Sequence, residues 1–150
     1  MRILSMGRGQ KGVTLIELVV VMAIVAIMAL FMAPAIGEWV DNFRIKQAAR
    51  DIASTLQLAK MHAVSTHQPH QVNFTPADGT YGIAPLPPGG SNSQLPKGVT
   101  IVTGSATSIS FNPDGTSSVN GTMTIKNTKD KQYQVSVSAT GRIQMQEIGE

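Results

Sequence analysis

Near its start the chain reads Gly12-Val13-Thr14-Leu15-Ile16-Glu17-Leu18, and no polar side chain follows between Leu18 and Ala33. A stretch this long and this apolar is typical of a segment buried in a bilayer or in an equivalent core made of protein. Glu17 is the exception, because a carboxylate inside a membrane span is costly and therefore indicates a function. The sequence predicts an apolar helix with one functional acid near its start.

Two simpler interpretations fit this segment less well. A secretory signal peptide has an apolar centre of about 7–15 residues, followed by a cleavage site of small residues. Here the apolar run is longer, and Gly12 comes before the run rather than after it. A plain signal anchor fits the length but gives no reason for Gly12 or Glu17. Both residues therefore need another explanation.

The motif at residues 12–18 resembles that of the type IV pilin-like superfamily. In that superfamily a short basic leader and a glycine precede one hydrophobic residue and Thr-Leu-Ile-Glu-Leu. Val13 is the one departure, since phenylalanine is commoner there. The resemblance implies that a prepilin peptidase/methyltransferase cuts between Gly12 and Val13 on the cytoplasmic side and that the new amine of Val13 is N-methylated. The expected division is a cleaved leader (1–12), a transmembrane and assembly helix (13–36) and a periplasmic domain (37–150).

Charge supports the same topology. The leader carries Arg2, Arg8 and Lys11, and the positive-inside rule keeps such a segment in the cytoplasm. We therefore expect a single-pass protein of the bacterial inner membrane with its C-terminal domain in the periplasm. The net charge of the precursor is +3, and removal of residues 1–12 leaves nine basic and nine acidic side chains. A neutral mature chain gives no argument for a nucleic-acid partner.

Glu17 and Pro34 are the expected assembly residues. After the cut, Glu17 lies in the first turn of a helix, where the helix dipole favours an anion. Its natural partner is the amine of Val13, in the same or a neighbouring copy, and such a pair would fix the register between packed subunits. The resemblance implies this role for Glu17, and a bend or loosening of the helix at Pro34. The alternative is a helix end at Pro34, and both interpretations place the membrane boundary near Trp39.

The rest of the chain predicts an α+β fold. Residues 38–66 form an amphipathic pattern with apolar side chains at alternating steps of four and three. This stripe comprises Ile45, Ala49, Ile52, Leu56, Ala59 and Ala63. Beyond Gln71, short runs separated by turns predict about seven mostly antiparallel strands. Their expected ranges are 72–74, 81–83, 99–102, 108–111, 123–126, 132–137 and 142–145. The amphipathic half of the long helix is expected to pack on one face of this C-terminal sheet.

Three later segments are similar to the GspH/FimT group of minor pseudopilins and minor pilins. They are Leu58-Ala59-Lys60 near the helix end, the turn Phe111-Asn112-Pro113-Asp114-Gly115, and the terminal Gly141-Arg142. Lys60 stands where the group has arginine. The resemblance implies a minor pseudopilin of a type II secretion system that contributes to fibre assembly and protein export. Its implied partners are other pilin or pseudopilin subunits through the N-terminal helix, the prepilin peptidase and the inner-membrane assembly platform.

Two alternatives to this function stay open. One is a FimT-like minor type IV pilin that primes pilus assembly, and some members of that group bind DNA. DNA-binding members tend to carry a second cation two residues after the terminal Gly-Arg, where this chain has Gln144. Arg142 alone predicts only weak nucleic-acid contact, because phosphate contacts supply most non-specific affinity. The other alternative is a membrane-tethered binding domain that never polymerises.

Nothing in the sequence indicates catalysis, a cofactor or a metal. The chain has no cysteine, which excludes thiolate chemistry and disulfides. His67 and His70 flank Pro69 without a nearby carboxylate, so we expect a solvated turn there rather than a metal site. The loop at residues 85–96 is rich in proline and glycine, and it is either a contact surface for a partner or a spacer.

Overall fold

One long helix, α1 (Leu15–Thr66), leads into eight short strands. The computed structural model describes residues 12–118 and 120–149, apart from the side chains of residues 32–36. The chain divides into two compact units, with the boundary between Gly37 and Glu38. The predicted leader lies outside the described residues except for Gly12. The side chain of Pro34 also lies outside them, although its backbone belongs to α1.

The first unit contains the apolar part of α1. Its large apolar side chains from Val13 to Phe31 are all at least half exposed. The membrane helix expected at 13–36 includes residues 32–36, whose side chains are not described. Within the part of the chain that the structure describes, no helix combines the length and the hydropathy that crossing a membrane requires.

The second unit contains the C-terminal half of α1 and two antiparallel four-stranded sheets. The strands are β1 (His70–Thr75), β2 (Thr80–Ala84), β3 (Ser93–Gln94), β4 (Val99–Ile101), β5 (Ser108–Phe111), β6 (Gly121–Asn127), β7 (Gln132–Val137) and β8 (Ile143–Ile148). One sheet has the order β3-β2-β1-β5 and the other has the order β4-β6-β7-β8. The sequence Pro76-Ala77-Asp78-Gly79 predicts a hairpin turn between the first two strands, and the structure confirms it, since residues 76–79 join β1 to β2 in register Thr75 to Thr80.

The core of the second unit lies between α1 and both sheets. All six residues of the predicted helix stripe are completely buried, together with Ala48. The first sheet contributes Ile109 and Phe111, and the second contributes Met123 and Val135, each 1% exposed or less. The alternating burial along β6 and β7 is that of a sheet with one face on a core. The helix packed on an antiparallel β domain is therefore confirmed, while the division into two sheets was not foreseen.

The loop at 85–96 is partly structured. Ser93 and Gln94 pair with β2 as the edge strand β3. Leu95 is buried and its N–H donates to the carbonyl of Gly79 at 2.8 Å. The side chain of Asn92 lies over Gly82, where a Cβ would stand 2.1 Å from the amide oxygen. The first part of the loop is mostly exposed, and Leu86 is more than half accessible.

Candidate processing and assembly site

The start of α1 is capped by Thr14. The Oγ1 atom of Thr14 accepts a hydrogen bond from the N–H of Glu17 at 3.3 Å, and its carbonyl accepts one from the N–H of Leu18 at 3.2 Å. This is the N-cap side of a capping box, in which Ser or Thr at the cap is followed three residues later by Glu or Gln. Thr14 and Glu17 of the N-terminal motif therefore both take part in the N-terminal cap of α1.

The predicted cleavage site lies just before this cap. Gly12 and Val13 are outside α1 and exposed, and the side chain of Val13 is 73% accessible. A Cβ placed on Gly12 would meet no atom within 4 Å. None of the residues that the structure describes therefore requires glycine at this position on steric grounds.

Glu17 is exposed in the first turn of α1. Its backbone N–H is bonded to Thr14, while its carboxylate lies where the N-terminal end of the helix dipole stabilises an anion. The structure thus places Val13, Thr14 and Glu17 within one turn of each other. The expected pair between Glu17 and the amine of Val13 requires the cut chain, so it stays a prediction.

A second group of residues converges within the second unit. The Nζ atom of Lys60 donates to the carbonyl of Gly141 at 3.0 Å, across 81 positions of sequence. A Cβ on Gly115 would lie 3.2 Å from the Cε atom of Lys60, and one on Gly141 would lie 2.0 Å from the carbonyl oxygen of Gly115. The three segments that resemble the GspH/FimT group therefore meet at one point, which we call the Lys60 clasp (Lys60, Gly115 and Gly141).

Both glycines of the Lys60 clasp have backbone angles that favour glycine. The φ angle is +80° at Gly115 and +72° at Gly141. Gly115 closes a turn in which its N–H donates to the carbonyl of Asn112 at 2.9 Å, and Asp114 accepts from the N–H of Thr116 at the same distance. Sequence analysis found the three segments but missed their contact, because no local pattern indicates which distant carbonyl a lysine will reach.

We expect Lys60→Met to destabilise the second unit. The substitution keeps the aliphatic stem but leaves the carbonyl of Gly141 without its charged donor, which costs about 1–2 kcal/mol for a partly buried bond of this kind. Chemical denaturation of the full chain measures this loss. Lys60→Arg is expected to keep most of the stability, and Lys97→Met, at an exposed lysine, to leave it unchanged. Equal stability of Lys60→Met and Lys97→Met would contradict a structural role for the clasp.

Arg142 follows the clasp in the turn before β8. Its N–H donates to the Oγ atom of Ser138 at 3.2 Å, and its carbonyl accepts from the N–H of Ser138 at 3.0 Å. The side chain is exposed. The backbone of Arg142 therefore shapes the turn, while its guanidinium faces solvent as a candidate for the weak nucleic-acid contact.

The histidines differ from the prediction in one respect. His67 is exposed, but His70 is only 5% accessible and begins β1. The Nδ1 atom of His70 lies 3.0 Å from the carbonyl oxygen of Gln68, and its ring stacks on that of His62 with centroids 5.8 Å apart. The expectation of a solvated turn is therefore wrong for His70. Within residues 12–118 and 120–149, no group of three or more side chains is placed to hold a metal ion.

An open groove of about 310 Å³ lies where α1 meets the second sheet. It is lined by Trp39, Phe43, Lys46, Lys131, Tyr133 and Glu147, and we call it the aromatic groove. Glu147 accepts from Lys131 at 2.7 Å and from Tyr133 at 2.5 Å, and these bonds, that from Lys131 first, lower the pKa of its carboxyl. Burial, followed by the bond to Glu147, raises the pKa of Tyr133 to about 12.

The fold and the N-terminal motif together define a pilin-like protein. The prokaryotic N-terminal methylation motif matches residues 7–33, and the family described as Type II transport protein GspH matches residues 48–141. The chain belongs to the GspH family. The predicted resemblance to the GspH/FimT group is confirmed, and the matched range contains all three residues of the Lys60 clasp.

Individual relatives agree with this assignment. The chain is 26% identical over 94 residues to the Type II secretion system protein H of Xanthomonas campestris pv. campestris. That match covers 63% of this chain and 53% of the relative, so the chain spans about half the length of this curated relative.

Two solved structures share the fold. The type IV minor pilin FimU of Pseudomonas aeruginosa matches with a TM-score of 0.59 and 20% identity, over 72% of this chain and 92% of FimU. The minor pseudopilin EpsH from the Type 2 Secretion System of Vibrio cholerae matches with a TM-score of 0.57 and 16% identity, over 71% of this chain and 99% of EpsH. At these identities the likeness establishes a common fold.

Proposed function

We propose that the chain is a minor pseudopilin, a non-enzymatic subunit of the pseudopilus of a type II secretion system that contributes to fibre assembly and protein export. The match of the GspH family to residues 48–141 carries this proposal. The likeness to protein H of Xanthomonas campestris, a type II secretion protein by name, supports the same system. Its partners are other pseudopilin subunits, the prepilin peptidase and the inner-membrane assembly platform.

In this proposal the apolar part of α1 inserts in the inner membrane before assembly and packs between subunits afterwards. The exposed apolar side chains between Val13 and Phe31 support it, since no residue that the structure describes in their own unit covers them. Their burial in lipid or in a helical bundle supplies the free energy that holds the subunit in place. The leader stays in the cytoplasm and the C-terminal domain lies in the periplasm.

Maturation gives the first test. We expect Gly12→Val to block the cut between Gly12 and Val13, so that the precursor accumulates and Val13 is not methylated. The structure makes this substitution informative, because a Cβ at Gly12 meets nothing within 4 Å and the fold has no reason to change. Intact-mass analysis of the chain co-expressed with a prepilin peptidase measures both modifications.

Gly37→Val is the matched control for this maturation test, because Gly37 also has open space around it and lies far along the chain. We expect its processing to match that of the unaltered protein. Cleavage of the Gly12→Val chain at the normal rate would contradict the assignment of the site.

The second candidate function is that of a minor type IV pilin. The likeness to FimU favours it, since the TM-scores of 0.59 and 0.57 do not separate FimU from EpsH. Deletion of the gene in its own host distinguishes the two functions. We expect the deletion to lower the export of secreted proteins and to leave surface pili normal, and we expect the unaltered gene to restore export. Normal export with a loss of pili would instead support the minor pilin.

A further inference from the structure

Trp39 and Phe43 form an exposed aromatic pair at the mouth of the aromatic groove. Their side chains are 69% and 56% accessible, and their rings stack with centroids 5.9 Å apart. They are four residues apart on α1, so both project from the same side of the helix. Lys46 continues this side of the helix three residues later and is also exposed. The unit therefore presents two large rings and a cation to its surroundings.

The aromatic groove combines aromatic rings with charged side chains. It therefore suits a partner that also has both apolar and charged groups. Tryptophan and tyrosine favour the boundary between lipid and water, because there the apolar ring contacts lipid while its polar group forms hydrogen bonds. The hydroxyl of Tyr133 is already bonded to Glu147, and Glu147 is also paired with Lys131. Two lysines against one glutamate leave the groove with one positive charge in excess, which complements a phosphate.

From these observations we propose that the aromatic groove docks on the phospholipid headgroups of the inner membrane while the subunit is unassembled. This inference rests on the membrane insertion in the proposed function. In the sequence, Trp39 lies only three residues beyond the expected end of the apolar segment at residue 36. The rings would enter the headgroup region, and Lys46 would bind lipid phosphates. The second unit would then be held against the membrane in a defined orientation until it joins a fibre.

The position of Trp39 in the bilayer can be read directly, because Trp39 is the single tryptophan of the chain. The full chain is reconstituted at low density in vesicles of phosphatidylethanolamine and phosphatidylglycerol, with or without lipids brominated near the top of the acyl chain. We expect the emission of Trp39 to shift to shorter wavelength and to lose most of its intensity with the brominated lipid. Emission at the wavelength of a water-exposed tryptophan, without quenching by bromine, would overturn the proposal.

A matched control places the single tryptophan at another position of the same helix. Met61 is 63% accessible, close to the value for Trp39, but it lies outside the aromatic groove. In a Trp39→Phe, Met61→Trp chain we expect emission typical of water and no quenching by bromine. Equal quenching at both positions would overturn the proposal, because it would mean that the whole unit contacts lipid without a preferred face.

Three further measurements separate the proposal from its alternatives. Lys46→Gln is expected to lower the quenching in vesicles that contain phosphatidylglycerol, because each lysine near an anionic surface adds attraction. A blue shift that grows with protein density, without quenching by bromine, would show that a second copy covers the groove and would overturn the proposal.

Vesicle flotation tests insertion independently. A chain that floats with an unquenched Trp39 refutes the docking alone, whereas a chain that stays in solution refutes the insertion as well.

Discussion

Gly141→Ala is expected to unfold the second unit or to destabilise it by about 4 kcal/mol or more, the range of the most damaging single substitutions. The new Cβ would lie 2.0 Å from the carbonyl oxygen of Gly115 and 3.2 Å from the Nζ atom of Lys60. The first distance is far below any van der Waals contact, and its partner is backbone, which cannot move aside as a flexible side chain can. The positive φ angle of +72° adds strain to the clash. Thermal and chemical denaturation of the full chain, followed by circular dichroism, measures the loss.

Gly89→Ala is a control that measures the cost of the backbone strain without the steric clash. Gly89 has nearly the same φ angle, +74°, but a Cβ there meets no atom within 4 Å. We expect a loss of only about 1 kcal/mol, which is the cost of placing an alanine in the left-handed region. If both substitutions cost the same, the close approach of Gly141 to Gly115 does not hold in the protein, and the Lys60 clasp loses its structural basis.

Substitution of Glu17 is expected to abolish assembly without abolishing membrane insertion. Glu17→Leu removes the one carboxylate of the apolar run, so the variant should insert at least as well as the unaltered chain. It should fail to enter the fibre, because the amine of Val13, on the same or a neighbouring subunit, would be buried without a counter-ion. Fractionation of membranes and sheared fibres from cells that express the variant measures insertion and incorporation separately.

Two related variants identify which property of Glu17 matters. Glu17→Gln keeps the size and the backbone bond to Thr14 but lacks the charge, and we expect it to fail as Glu17→Leu does. Glu17→Asp keeps the charge on a shorter side chain, and we expect partial incorporation. Normal fibres from Glu17→Gln would show that the carboxylate is dispensable, and the register role of the acid would then be wrong.

Sequence patterns predicted the elements of this fold better than their arrangement. The helix stripe from Ile45 to Ala63 could be located because a 3.6-residue period fixes which side chains face inward. The hairpin at residues 76–79 could be located because Asp78-Gly79 is a local turn signal. The partition into two sheets depends on pairings such as His70 with Phe111, which are distant in sequence and leave no local pattern.

The burial of His70 could have been predicted from the sequence, but a competing turn pattern favoured an exposed histidine. Pro69 and the polar residues before it suggest a turn, and this favoured a solvated histidine. The alternation His70, Val72, Phe74 continues the inward face of β1, and all three side chains are buried. A period of two therefore placed His70 inside. The Lys60 clasp could not be found in this way, since the hydrogen bond from Lys60 to Gly141 depends on the complete tertiary fold.

The cap at Thr14 has a consequence for the timing of maturation. The bonds that start α1 run from the amides of Glu17 and Leu18 back to Thr14, and all of these atoms lie downstream of the bond between Gly12 and Val13. Proteolysis at that bond would leave both of these hydrogen bonds intact. In the maturation proposed above, a peptidase would therefore release the leader from an already folded subunit, and the start of α1 would need no refolding before recruitment.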